Sequence, residues 1–240
     1  MFYWQDTVGD VVLAFTDRHG GVSRGSFGSL NLGSHVGDDP LAVTHNRGQV
    51  STHLDVPADR LVLMEQVHGA DVAIVDRAPE LAPRADALVT TIPGLALAAL
   101  VADCTPVLLW DRAGTAYGAV HCGRPGLVAG VVAAAVTALG DLGAGDLVAA
   151  VGPSVCARCY EVPAAMCDEV ADSVPASRAV SWSGTPALDV AAGVVSQLAA
   201  LDVPLHAWVP GCSREDGRLF SHRRSGATGR FGGIITRRAS

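Results

Sequence analysis

The 240-residue chain carries 49% hydrophobic and 17% charged residues, which excludes a disordered chain and gives enough apolar side chain for a sizeable core. Its net charge of −7 disfavours nucleic acid and anionic membrane as partners. All 17 basic residues are arginine, so Schiff-base and phosphate-loop lysines are excluded, and any bound anion must be held by arginine, backbone amides or metal.

The N-terminal stretch MFYWQDTVGD is acidic where a secretion signal is basic, and no cleavage pattern follows it, so a cytoplasmic location is expected. The uncharged run Pro125 to Gly140, which no other exceeds in length, is interrupted by Gly126, Gly130 and Thr137 and is shorter than the roughly 20 residues a bilayer span needs. The six cysteines are therefore expected to be thiols or metal ligands, not disulfides.

Val11 to Thr16 reads as a first strand, followed by the glycine-rich loop Asp17 to Gly25, which contains Arg24 and lacks the lysine ending of a nucleotide phosphate loop. Asp39-Pro40 is an N-cap and first-turn signal for a helix through Leu54, with Asn46-Arg47 inside it. Short strands are expected at Arg60 to Met64 and Ala70 to Asp76, with Glu65-Gln66-Val67-His68-Gly69 between them. Leu95 to Ala102, Pro106 to Trp110 and Thr115 to Val120 are bounded aliphatic runs that read as buried strands. Asp103-Cys104 lies between the first two, and His121 closes the third.

Leu127 to Leu139 is expected to be one helix ended by Gly140. Asp146 to Val151 is a strand, and Pro163 opens a helix through Ala171. The pair Cys156 and Cys159 has zinc-like spacing but no second pair nearby, and packing or a supporting role is the expectation. Asp189 to Ala200 reads as a helix and Leu205 to Trp208 as a strand. Phe220 to Arg230 is an arginine-bearing loop before an apolar end. Strands interleaved with helices, often two strands between helices, predict an α/β fold: a single-domain sandwich over residues 1–240 with mixed β-sheets and flanking helices.

His68, Cys104 and His121 all stand at strand ends. Imidazole nitrogen and thiolate sulfur are ligands zinc prefers, and three protein ligands leave a fourth position for water or substrate. The same atoms also suit a Cys104 nucleophile with a histidine base. The residues alone leave both readings open.

A set of motifs runs in order along nearly the whole chain: Ser29-Leu30-Asn31-Leu32-Gly33-Ser34-His35-Val36-Gly37-Asp38-Asp39-Pro40, then Asn46-Arg47, Glu65 to Gly69, Ala85 to Thr90, and Ala102-Asp103-Cys104 with Pro106. It continues through His121 with Gly123 and Gly126, Cys159-Tyr160-Glu161-Val162, Arg223-Arg224 and Thr228-Gly229-Arg230. This pattern resembles the YfiH/laccase-domain family, whose members are variously called polyphenol oxidase, purine nucleoside phosphorylase and peptidoglycan editing factor.

The resemblance implies a zinc site of His68, Cys104 and His121, which would also be the catalytic centre. It further implies phosphorolysis of adenosine, inosine and methylthioadenosine, and deamination of adenosine. Asn31, Gln66, Arg47 and Arg24 are then the expected substrate-binding residues, with arginines of the C-terminal loop as further candidates for phosphate. The expected partners are a purine nucleoside and phosphate, with the chain acting as a monomer or homodimer and engaging neither nucleic acid nor membrane. Two other readings accompany it: a copper-dependent polyphenol oxidase, because copper accepts the same donors, and an editing factor that recognises a peptidoglycan precursor. Histidines 19, 35, 45, 53, 206 and 222 form no HxH pairs, which counts against grouped copper sites. The chain departs from the family pattern at Arg124-Pro125, where tryptophan and arginine are common, at His222, where tyrosine is common, and at Ser225, where aspartate is common.

Overall fold

Strands that are apolar on both faces must be covered twice, and this chain does so by stacking two sheets and placing helices outside them. The computed structural model describes residues 1–239. It opens with an antiparallel hairpin of β1 (Phe2–Val8) and β2 (Val11–Thr16). Helix α1 (Pro40–His53) follows, its first turn capped by the Asp39 carboxylate, which accepts from the Leu41 N–H at 2.9 Å. Six strands come next: β3 (Leu61–Val62), β4 (Val72–Ile74), β5 (Ala87–Thr90), β6 (Ala96–Val101), β7 (Thr105–Asp111) and β8 (Tyr117–Cys122).

The second half contains α2 (Arg124–Ala129), α3 (Val131–Asp141), β9 (Leu147–Val151) and α4 (Ala164–Ser173). After these come β10 (Arg178–Val180), β11 (Pro186–Leu188), α5 (Val190–Ala200), β12 (Leu205–Trp208), α6 (His222–Ser225) and β13 (Phe231–Arg237).

The strands form a five-stranded sheet of order β1-β2-β13-β6-β3, a six-stranded sheet of order β12-β9-β7-β8-β5-β4, and a small β10-β11 hairpin. Both large sheets mix parallel and antiparallel pairs, as expected. Leu13 and Phe15 of β2, Leu97 and Ala99 of β6, Leu108 and Trp110 of β7, and Val148 of β9 meet in the core between the sheets. The alternate residues face outward: Val12, Ala14, Ala98 and Leu100 pack towards Val50 of α1, while Val107, Leu109, Val120 and Val151 pack under α3 and α5. The result is an α/β sandwich of four layers. Among the described residues, no helix is long and apolar enough to cross a membrane.

Several boundaries differ from expectation. The helix expected over 127–139 is two helices, broken at Gly130, whose φ of +81° is left-handed and open to glycine at little cost. Gly140 lies inside α3 and does not end it. The strands expected at 60–64 and 70–76 shrink to β3 and β4, which pair only in parallel along a sheet edge. The apolar end beyond residue 230 is an interior strand, β13, held between β2 and β6.

Candidate metal centre

Chain crossing between the sheets creates the site. β6 belongs to the five-stranded sheet and β7 to the six-stranded one, so Ala102-Asp103-Cys104 carries the backbone from one to the other. Asp103 adopts φ of +103°, a conformation that costs a non-glycine residue energy and is held by its surroundings. Its Oδ1 accepts from Ser213 Oγ at 2.6 Å, its Oδ2 from the Arg223 N–H at 2.6 Å, and its carbonyl from the Val155 N–H at 2.9 Å. Cys104 is thereby presented next to β8, whose antiparallel register sets His121 opposite Pro106.

His68 arrives from the other side. The Gln66 side chain acts as an extra strand residue beside β6, donating to the Leu100 carbonyl at 2.7 Å and accepting from the Leu100 N–H at 2.8 Å. The chain then turns at His68, whose φ of +61° is again left-handed. One carboxylate holds this turn. Asp86 is fully buried and accepts from the backbone N–H groups of His68 at 2.9 Å and Gly69 at 2.6 Å, and more weakly from Val67 at 3.3 Å. Its Oδ1 also accepts a hydrogen bond from His121 Nδ1 at 2.8 Å.

That bond leaves His121 Nε2 as the ring nitrogen free to bind a ligand, the arrangement in which a carboxylate orients a metal-binding histidine. The Cys104 sulfur lies 3.8 Å from His68 Nε2, and the two imidazoles stand edge to face with centroids 4.8 Å apart. Donor atoms of His68, Cys104 and His121 all fall within 4.8 Å of one another. Gly123 keeps this space clear: a Cβ there would sit 2.8 Å from His68 Cδ2 and 3.1 Å from the Cys104 sulfur. The three residues thus fit a metal ion by donor chemistry, by spacing and by the room left around them.

The charges of the site are strongly coupled. Burial alone would raise the Cys104 thiol, but the positive charge and hydrogen bond of His121, with a further bond to His68, outweigh it and hold the thiol at about 6. Burial would likewise lower His121, and the Cys104 thiolate together with Asp86 raises it to about 9. For Asp86, burial pushes upward and is overcome by the His121 bond and the Gly69 and His68 amides, so the carboxyl stays ionised. A thiolate at neutral pH is the form a metal binds.

The donors open into a cleft of about 390 Å³, large enough for a small organic ligand. Leu100, Val101, Val155 and Val190 give it apolar wall, and Tyr160, Arg124, Arg223 and Arg230 give it polar groups. The Arg223 guanidinium lies 5.0 Å above the Tyr160 ring.

Of the residues expected to bind substrate, Gln66 lines this cleft, although its amide is spent on Leu100. Asn31 does not line it. That side chain is completely buried, donates to Gly33 O and Asp38, and accepts from the backbone N–H groups of Gly33 and Arg230. Arg24 is exposed on a separate groove with Asp38 and His45. Arg47 donates to the Leu32 carbonyl at 2.9 Å and lines an adjoining groove. In the C-terminal loop, Arg223 and Arg230 reach the cleft, whereas Arg224 is committed to the carbonyls of Ser213 and Leu219. Arg124, at a position that departs from the family pattern, also lines the cleft. Asp86 is the residue sequence reasoning passed over; a carboxylate set inside the apolar run Ala85 to Val89 was the available signal, because such a charge needs buried partners.

Residues 12–238 match the family model described as multi-copper polyphenol oxidoreductase laccase. A protein of Streptomyces coelicolor named purine nucleoside phosphorylase is 54% identical over 236 residues, covering 96% of this chain and 97% of its own. A Streptomyces griseus protein of the same name is 52% identical, covering 95% and 94%. Among solved structures, a Neisseria meningitidis protein superposes with a TM-score of 0.89 at 33% identity over 99% of both chains. YlmD from Geobacillus stearothermophilus gives a TM-score of 0.86 at 35% identity, covering 96% and 93%. With the fold, the motif order and these relatives in agreement, the chain belongs to the multi-copper polyphenol oxidoreductase laccase family, the group that includes YfiH.

Proposed function

We propose that this chain is a zinc-dependent purine nucleoside phosphorylase that cleaves adenosine, inosine and methylthioadenosine with phosphate and also deaminates adenosine. The observation that carries the reading is one cleft with a His-Cys-His donor set on one wall and three arginines on the others. The names of the Streptomyces relatives support the phosphorylase part.

His68, Cys104 and His121 would hold the zinc, which when bound supplies Lewis acidity and lowers the pKa of water to about 7. Asp86 keeps the His121 proton on Nδ1 and so keeps Nε2 available. Arg223, Arg124 and Arg230 supply the positive charge that places phosphate, the role lysine cannot fill here. Tyr160 and the aliphatic wall offer a flat apolar surface to a purine. In phosphorolysis a phosphate oxygen forms a bond to C1′ while the C1′–N9 bond breaks and its electron pair leaves with the base. In deamination water adds at C6 and ammonia departs with the proton that water loses. Zinc is favoured over copper oxidation because, among the described residues, the two clusters of three or more metal-capable side chains contain only His68 and His121 as histidines. Several grouped, histidine-rich copper centres are not assembled from such a set.

Incubation of the zinc-loaded protein with adenosine tests this. Adenine and ribose 1-phosphate are expected only with phosphate present, and inosine with or without it. No purine product, alongside dioxygen uptake with a phenol, overturns the reading in favour of polyphenol oxidation. No purine product together with binding of a muropeptide precursor favours the editing role.

A further inference from the structure

A second group of metal-capable side chains lies behind the cleft wall. Cys156 and Cys159 share one turn, in which the Cys159 and Tyr160 N–H groups donate to the Cys156 carbonyl at 2.9 and 3.1 Å. Cys212 and Glu215 share another, built the same way, with the Glu215 and Asp216 N–H groups donating to the Cys212 carbonyl at 3.1 and 2.8 Å. The two turns face each other. Their backbones are joined by an isolated β-bridge between Ser154 and Cys212, and the Cys156 N–H points at the Cys212 sulfur at 3.4 Å.

The four donor atoms, three sulfurs and one carboxylate oxygen, lie within 4.8 Å of one another. Each pair is spaced i, i+3, as in zinc sites built from paired turns, and tetrahedral zinc with Zn–S bonds of about 2.3 Å places sulfurs about 3.8 Å apart. Cys159 is buried, Cys156 and Cys212 are partly covered, and all three are free thiols. Glu215 is oriented by Trp182, whose indole N–H donates to its Oε1 at 3.1 Å, which leaves Oε2 available.

We propose that Cys156, Cys159, Cys212 and Glu215 form a second, structural zinc site with four protein ligands. Its effect follows from what the two turns hold. Val155, beside the first cysteine, and Ser213, beside the third, both hydrogen bond to Asp103, the strained residue that presents Cys104. Tyr160, beside the second cysteine, lines the cleft under Arg223. A metal joining the turns would therefore fix the wall behind the His68-Cys104-His121 centre without touching a ligand there.

The site is read directly by cobalt in a Cys104→Ala variant, which has no thiolate in the other centre. One equivalent of Co2+ is expected to give the near-ultraviolet sulfur-to-cobalt charge-transfer absorption, lost on adding Cys156→Ser and Cys212→Ser. Absence of that absorption in the folded Cys104→Ala protein overturns the proposal. Wild-type protein gives an independent answer: two zinc ions per chain are expected after purification with zinc. One or none at zinc saturation overturns it, as does a Cys156–Cys212 disulfide, detected as a mass 2 Da lower, in protein prepared without reductant.

Discussion

Two buried polar networks sit on neighbouring parts of this molecule and end in opposite ways. Around Asp86, one carboxylate accepts from three backbone N–H groups and His121, and the two imidazoles it positions turn their remaining nitrogens towards the Cys104 sulfur, so that ligand-type atoms meet one another at the cleft. Around Asn31 and Asn46, every polar side-chain atom of both residues is consumed. Asn46 accepts from the Val22 N–H and donates to Ser23 Oγ and to the carbonyls of Ser29 and Asn31, while Asn31 binds Gly33, Asp38 and Arg230. Burial of polar groups is thus common to both and diagnostic of neither. What distinguishes the site is a network that terminates in a cluster of ligand-type atoms at a cavity.

The largest test of this contrast is Asp86→Ala. Removing one member of a buried ion pair typically costs 3–5 kcal/mol, and here it also releases the turn at His68 and the proton position of His121. Urea unfolding of the metal-free protein should show a loss of about 4 kcal/mol, and competition with a chelator should show metal affinity reduced roughly 10–100-fold at this centre. Unchanged affinity would separate Asp86 from ligation. A pH profile sharpens the same point. In metal-stripped protein, iodoacetamide should modify Cys104 with a rate that rises through pH about 6 and is flat above, because the reactive form is the thiolate and His121 stabilises it. In Asp86→Ala the midpoint should move upward as His121 loses the partner that keeps it charged.

Asn46→Ala probes the other network. It strands the Asn31 carbonyl in the interior, leaves the part-buried Val22 N–H without its acceptor and removes one of the two donors to the Ser29 carbonyl, and unsatisfied buried groups cost about 1–3 kcal/mol each before the loop relaxes. A stability loss of about 3 kcal/mol by urea unfolding is expected, with metal content unchanged. Loss of metal as well would show that the two networks act as one, through the Asn31 bond to the Arg230 backbone.

Much of the architecture was legible because strands covered on both faces read as short unbroken apolar runs, as β6, β7 and β8 do. β1 was not, since Tyr3, Gln5, Asp6 and Thr7 give no such run on a half-exposed edge strand. The break at Gly130 was hidden inside continuous apolar sequence, where a positive φ leaves no compositional trace. His68, Cys104 and His121 stood out as ligand-type residues at strand ends. Asp86 did not, because its role arises only from the β5–β8 register, which sets Ala87 opposite Val120 and so brings Asp86 beside His121. Cys156 and Cys159 were visible as a pair, but Cys212 joins them from a distant segment through the Ser154 bridge. Arginine roles were the least legible, because side-chain direction decides them.

That last point defines the smallest and most selective comparison, Arg223→Ala against Arg24→Ala. Both arginines are exposed, Arg24 in the N-terminal glycine-rich loop and Arg223 on the short helix α6, and the sequence alone favours Arg24 over Arg223 as a substrate-binding residue. Arg223 lies over Tyr160 at the cleft, and Arg24 lies on a groove with Asp38 and His45. A charge-assisted hydrogen bond contributes about 1.5–3 kcal/mol, so Arg223→Ala should raise the KM for phosphate at least about tenfold while leaving the KM for adenosine and the metal content as they were. Arg24→Ala, a surface change away from the cleft, should stay within about twofold on every parameter. If the two results were exchanged, phosphate would be held by the N-terminal loop, and the Asn31–Asn46 network would have to be regarded as the scaffold of a binding surface in its own right.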